Sequence, residues 1–83
     1  MSTDVAVKKI LGSVLNLGGR ADDFARSTPL LGYVPELDSM AVVSLITTIE
    51  EQFGIVVEDD EISAETFETL GTLIDFVDHK LKV

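Results

Sequence analysis

Leu37-Asp38-Ser39-Met40 carries the clearest chemical potential in this chain, because it sets a hydroxyl where an irregular Pro/Gly-rich segment gives way to an apolar-periodic run ending at Phe53-Gly54. If that run is helical, Ser39 lies in its first turn, at the surface and beside apolar neighbours, where a partner enzyme can modify it. Asp38 is the natural N-cap, its carboxylate accepting a backbone N–H of the first turn. Asp and Ser also start many helices that do nothing else, so the dipeptide alone does not separate a modification site from a cap.

Other chemistries are poorly served. A serine nucleophile needs a base and an oxyanion hole, yet there is no Gly-x-Ser-x-Gly turn, and the lone histidine, His79, sits in the last periodic segment beside Lys80. With no cysteine there is no thiolate, disulfide or cysteine metal site, and His79 alone cannot build a multi-histidine one. Glu58-Asp59-Asp60-Glu61 lacks the alternating acids, central glycine and terminal glutamate of a calcium loop. It reads as a solvated helix start. Neither a catalytic residue nor a metal site is expected.

Charge narrows the partners. The formal net charge is −9, from fifteen acids against six bases, and no Lys or Arg occurs between Ser27 and His79. A field this negative disfavours nucleic acid and anionic membrane, and attracts basic patches on other proteins at low salt. At 83 residues, 46% of them apolar, the chain suffices for one small core, so a single domain over 1–83 is expected. Met1 to Val7 contains Asp4 and lacks a long apolar core, and no apolar run approaches membrane-spanning length. A cytoplasmic monomer with no membrane insertion follows as the expectation.

The elements that must position Ser39 are read from periodicity. The first helix begins near Ser2 or Thr3, either able to cap it, runs through Val7, Ile10, Leu11, Val14 and Leu15, and stops at Asn16-Leu17-Gly18-Gly19, where glycine takes the left-handed conformation. From Arg20 to Leu37 the period is lost at Pro29, Gly32 and Pro35. Phe24, Leu30, Leu31, Tyr33 and Val34 make this a long loop lying over the core, with a short turn around Asp22 to Ala25. The second helix follows Asp38 with an inward stripe of Val43, Ile46, Ile49 and Phe53, flanked by Leu45, while Met40, Val42 and Thr47 fall nearer the edge. Ile55-Val56-Val57 has no second strand to pair with and reads as an extended connector. A short third helix is expected within Glu58 to Phe67. Thr69 then caps a last helix with the stripe Leu70, Leu73, Ile74, Val77 and Leu81. The predicted fold is all-α, a small four-helix bundle of three longer helices and one short one.

The full pattern is more specific than any of its parts. A long loop, Leu-Asp-Ser-Met, a periodic helix closing on Ile49-Glu50-Glu51-Gln52-Phe53-Gly54-Ile55, an acidic connector, and Phe67-Glu68-Thr69-Leu70-Gly71-Thr72-Leu73 follow in order. In this the chain resembles the acyl carrier protein family over nearly its whole length. The resemblance implies that Ser39 receives 4′-phosphopantetheine from coenzyme A, and that acyl intermediates ride on that arm as thioesters in fatty acid and related lipid metabolism. The arm supplies the sulfur that the sequence lacks, on a tether that lets one cargo visit several active sites.

By the same resemblance a phosphopantetheinyl transferase, with its own metal ion, activates the Ser39 hydroxyl. Asp38 orients the serine and faces the transferase, and Met40 touches partners. The chain departs from well-known fatty-acid carriers at Ala41 and Ser44, where those bear acids, and keeps Glu50 and Glu51 further on. Recognition is therefore expected through Met40, Val42 and Thr47 with Glu50 and Glu51. The expected partners beyond the transferase are an acyl-activating ligase, or acyltransferases and synthases with basic patches. Leu30-Leu31-Gly32 to Ile55 is most similar to specialised bacterial carriers associated with exopolysaccharide and protein-sorting gene clusters. The alternative is a non-enzymatic acidic helical adaptor in which Ser39 is never modified.

Overall fold

The computed structural model describes residues 3–82. Three α-helices, α1 (Thr3–Val14), α2 (Ser39–Phe53) and α3 (Leu70–Lys82), are joined by segments that carry 3-10 turns at Gly18–Asp23, Asp59–Glu61 and Ala64–Phe67. Among the described residues there is no strand, only an isolated antiparallel bridge between Pro29 and Thr69. No helix among them is long and apolar enough to cross a membrane.

α1 buries Val7, Ile10 and Leu11 as its spacing requires, with Leu15 also buried just beyond it. Its closure differs from expectation. The left-handed residue is Asn16 (φ 57°), not a glycine, and the Leu17 N–H reaches back to the Gly12 carbonyl at 3.0 Å, which satisfies an orphan carbonyl of the last turn. Asparagine tolerates this conformation better than most side chains. Of the two proposed caps, Ser2 lies outside the described residues. Thr3 instead donates its hydroxyl to Asp78 at 2.6 Å, tying α1 to the far end of α3.

The connection from α1 to α2 is held down along its length. Its short turn sits at Gly18–Asp23, earlier than Asp22 to Ala25, because the chain tightens directly out of the α1 closure. Leu30, Val34 and Leu37 are buried, while Leu31 and Tyr33 turn outward. The backbone then runs along the entry to α3: Leu30 and Leu31 N–H donate to Glu68 and Phe67 carbonyls, and Leu70 and Gly71 N–H donate to Thr28 and Arg26 carbonyls, at 2.7 to 3.0 Å. Gly71 makes this approach feasible. A Cβ there would lie 2.8 Å from the Arg26 carbonyl oxygen.

α2 is rotated relative to the sequence-based stripe. Leu45 and Ile49 are its buried residues, with Val42, Ile46 and Phe53 packed around them. Val43, expected inside, is 61% exposed. At 3.6 residues per turn, Val43 stands almost opposite Leu45, so a stripe centred on Leu45 expels it and draws Val42 inward. Gly54 (φ 65°) closes the helix, and the Ile55 N–H returns to the Glu50 carbonyl.

The expected short helix in Glu58 to Phe67 is replaced by two separate 3-10 turns, so the bundle has three α-helices rather than four. The Glu61 carboxylate accepts the Glu58 N–H at 2.8 Å and the Thr66 hydroxyl accepts the Ser63 N–H at 3.4 Å. Each turn is closed locally by its own side chain, and neither propagates. α3 supplies the floor of the core with Leu70, Leu73, Ile74 and Val77. Leu81, past the last neighbouring element, is 43% exposed and leaves the predicted stripe.

Candidate functional site

Ser39 opens α2 without capping it. That duty falls to Asp38, whose extended backbone (φ −109°, ψ −175°) lets its carboxylate accept the Ala41 N–H at 2.8 Å, while its carbonyl takes the Val42 N–H at 2.9 Å. One residue earlier, buried Leu37 anchors the entry, its N–H bonded to the Val34 carbonyl at 3.0 Å. Ser39 is thus fixed between a buried leucine and a capped first turn, yet is itself exposed. Among the described residues its hydroxyl has no hydrogen-bond partner.

The surroundings suit an acceptor hydroxyl better than a nucleophile. Among the described residues no base is hydrogen-bonded to Ser39, and His79 lies on α3, exposed. No cluster of His, Cys, Asp and Glu among the described residues could hold a metal ion. Between Ser39 and Ile49 no side chain is ionisable, and Met40, 77% exposed, stands next to the hydroxyl. Two surface clefts of about 370 and 360 Å³ open elsewhere, between the Ala64–Phe67 turn and α3 and between α1 and α2. Neither is lined by Ser39.

Residues 5–77 match the model of the phosphopantetheine attachment site family. The chain is also 59% identical to a holo acyl carrier protein from Nitrosomonas europaea, solved by solution NMR, with all of both chains covered and a TM-score of 0.92. The chain belongs to the acyl carrier protein family. Its function is that of a carrier, and its prosthetic group is a covalently attached 4′-phosphopantetheine.

The entry to α2 fits such a group. A phosphodiester at that position would carry its negative charge beside the N-terminus of a 15-residue helix, where the first-turn N–H groups and the helix dipole favour it. The carrier's other predicted contact residues fall into two sets. Met40, Thr47 and Glu51 are exposed along one side of α2, with Ser39 at its head. Val42 and Glu50 are not available in the same way. Val42 packs against the core, and the Glu50 carboxylate accepts the Val57 N–H at 2.8 Å, fastening the connector that follows the helix. Val43, expected in the buried stripe, is exposed on the same side as the first set. Leu45 was the available signal, since placing it at the centre of the stripe sends Val43 outward.

Proposed function

We propose that Ser39 is the residue to which 4′-phosphopantetheine is attached, and that this carrier takes no catalytic part in its own loading. The observation that supports this reading is the uncommitted, exposed hydroxyl beside an N-cap carboxylate that already accepts the Ala41 N–H. In the reaction the Ser39 oxygen forms a bond to the phosphorus bearing the pantetheine arm. The pyrophosphate bond of coenzyme A breaks, the nucleotide half leaves, and the hydroxyl proton passes to the transferase. The arm contributes a terminal thiol for thioester formation. This chain's own residues hold the hydroxyl at the surface, keep it free of internal hydrogen bonds and offer a helix N-terminus to the phosphodiester.

Partners beyond the transferase are acyl-loading and acyl-accepting enzymes with basic patches, drawn by the net charge of −9 and able to contact Met40, Thr47 and Glu51. The missing acids at Ala41 and Ser44 favour a dedicated partner set with more apolar recognition, and the similarity of Leu30-Leu31-Gly32 to Ile55 to specialised carriers favours an acyl-activating ligase among them. Incubation with coenzyme A and a broad-specificity phosphopantetheinyl transferase, followed by intact-mass measurement, tests the central assignment. The wild-type chain gains the mass of one arm and Ser39→Ala gains none. An arm found on Ser39→Ala would refute it.

A further inference from the structure

The loop between α1 and α2 crosses the entry to α3 as a strap, from Arg26 to Leu31. Four backbone hydrogen bonds hold it there, from the Leu30 and Leu31 N–H to Glu68 and Phe67 and from the Leu70 and Gly71 N–H to Thr28 and Arg26. Of its side chains only Leu30 is buried, while Ser27, Pro29 and Leu31 are exposed. Arg26 adds a second kind of fastening. Its carbonyl takes the Gly71 N–H, and its guanidinium donates to Asp75 of α3 and, at 3.5 Å, to Asp4 of α1, so one residue joins the strap to two helices. Asp75 is the stronger partner, and its hydrogen bond does most to raise the guanidinium pKa above the ordinary arginine value. From Ser27 to Pro35 the chain carries no charge. Arg26 is thus the one charge through which salt can act on the strap. The loop is anchored separately on either side, by buried Leu17 and Ala21 before the strap and by buried Val34 and Leu37 after it.

We propose that Arg26 to Leu31 is an electrostatically latched strap, which lifts off the α3 entry as one unit while the three helices stay folded, with the Arg26 guanidinium as the latch. The four backbone bonds are contiguous, so lifting one strains the next and they part together. Opening gives up those bonds, the Arg26 contacts and one buried leucine, and it leaves the helix-on-helix packing intact, which places it among the local openings that precede global unfolding. It uncovers the first turn of α3 and the place of Leu30 in the core. The α2 entry stays put, because Leu37 and the Asp38 cap hold it separately. Arg26, Asp4 and Asp75 are all well exposed, so the latch is weak and is screened by salt. The carrier can therefore open its core without unfolding, and the ionic surroundings set how often it does so.

Amide hydrogen exchange of the whole chain, followed by NMR at one pH and well below the melting temperature, tests this. The Leu30, Leu31, Leu70 and Gly71 amides should share one opening constant, larger than that of the slowest α2 amides and nearly independent of low urea, because little surface is exposed. Arg26→Met should speed exchange of all four by about two- to fivefold, and Asp75→Asn should do the same from the other side of the contact. Arg26→Lys, which keeps the charge, gives a smaller rise. Raising sodium chloride from about 20 mM to about 500 mM speeds exchange of the four in the wild type and not in Arg26→Met. Exchange of these amides only through global unfolding, with the protection and urea dependence of the α2 core, would overturn the strap. Wild-type rates in Arg26→Met or Asp75→Asn, or a salt response that survives in Arg26→Met, would overturn the latch.

Discussion

α2 and α3 begin with the same problem, a first turn of backbone N–H groups without partners in the helix, and solve it with different residues. At α3 the hydroxyls do the work. Thr69 Oγ1 accepts the Thr72 N–H at 3.1 Å, Thr72 Oγ1 accepts the Thr69 N–H at 3.0 Å, and the Thr72 hydroxyl donates to the Thr69 carbonyl at 2.8 Å. Leu70 and Gly71 behind the cap are buried, and the loop backbone lies across them. At α2 the cap is a carboxylate one residue upstream, so the hydroxyl that follows has no structural duty and Met40 behind it faces water. Shifting the cap from hydroxyl to carboxylate is what separates a helix start whose hydroxyls are held in the fold from one whose hydroxyl is left uncommitted at the surface.

The seam at α3 should therefore be intolerant and the α2 entry permissive. Gly71→Ala puts a Cβ 2.8 Å from the Arg26 carbonyl oxygen and 3.2 Å from the Arg26 Cβ, with backbone as the obstacle. Relief requires the loop to move off α3, which weakens the Gly71 N–H bond at 2.7 Å. A loss of about 1–3 kcal/mol is expected, a fall in melting temperature of roughly 5 °C or more for a domain of this size. Met40→Ala, its counterpart at α2, should leave the melting temperature nearly unchanged. Equal melting of wild type and Gly71→Ala would mean that the seam is slack.

The caps give the next largest effects. Asp38→Ala removes the acceptor of the Ala41 N–H and costs about 0.5–2 kcal/mol, and Asp38→Asn recovers most of it because the amide oxygen can still accept. Thr69→Ala should cost about 1 kcal/mol for the same reason. Ser39→Ala should lie within about 0.5 kcal/mol of wild type, since it breaks no bond. Thermal unfolding of these four variants checks the contrast directly: a Ser39→Ala loss as large as that of Thr69→Ala would show that the serine is a structural cap.

The two helix starts were equally legible in the sequence, but the stripes behind them were not. Asp38 and Thr69 both announced themselves as caps, because a short acceptor side chain before a periodic run has few other local uses. The stripes of α1 and α3 read correctly except at Leu81, since their aliphatics recur at helical spacing with few competitors. α2 was harder. Val42, Val43, Leu45 and Ile46 are all apolar, so the local pattern admits two phases, and packing against α1 and the common core chooses between them. The segment from Glu58 to Phe67 failed for another reason: its length suits a helix, but side-chain acceptors at Glu61 and Thr66 close it into two turns. The loop's attachment to α3 left almost no trace in the sequence, because backbone hydrogen bonds carry no residue signature. Gly71 was the only hint.

The smallest expected effect concerns the acidic side, where Lys80 donates to both carboxylate oxygens of Glu61 at 2.8 and 3.0 Å. Those bonds first, and the Glu58 N–H second, hold the Glu61 pKa below the ordinary glutamate value. A carboxylate with a lowered folded pKa contributes stability that is complete above its unfolded pKa and is lost as pH falls through the folded one, so the contribution fades on acidification below about pH 4.5. Protonation of the many unpaired acids acts the other way, by relieving repulsion in a chain of net charge −9. Wild type alone therefore cannot isolate the pair, but Lys80→Met can. Its melting temperature should sit slightly below wild type at neutral pH and converge with it on acidification, once Glu61 is protonated in both. A gap that stays constant across that range would assign the Lys80 contribution to packing of its aliphatic stem rather than to its charge.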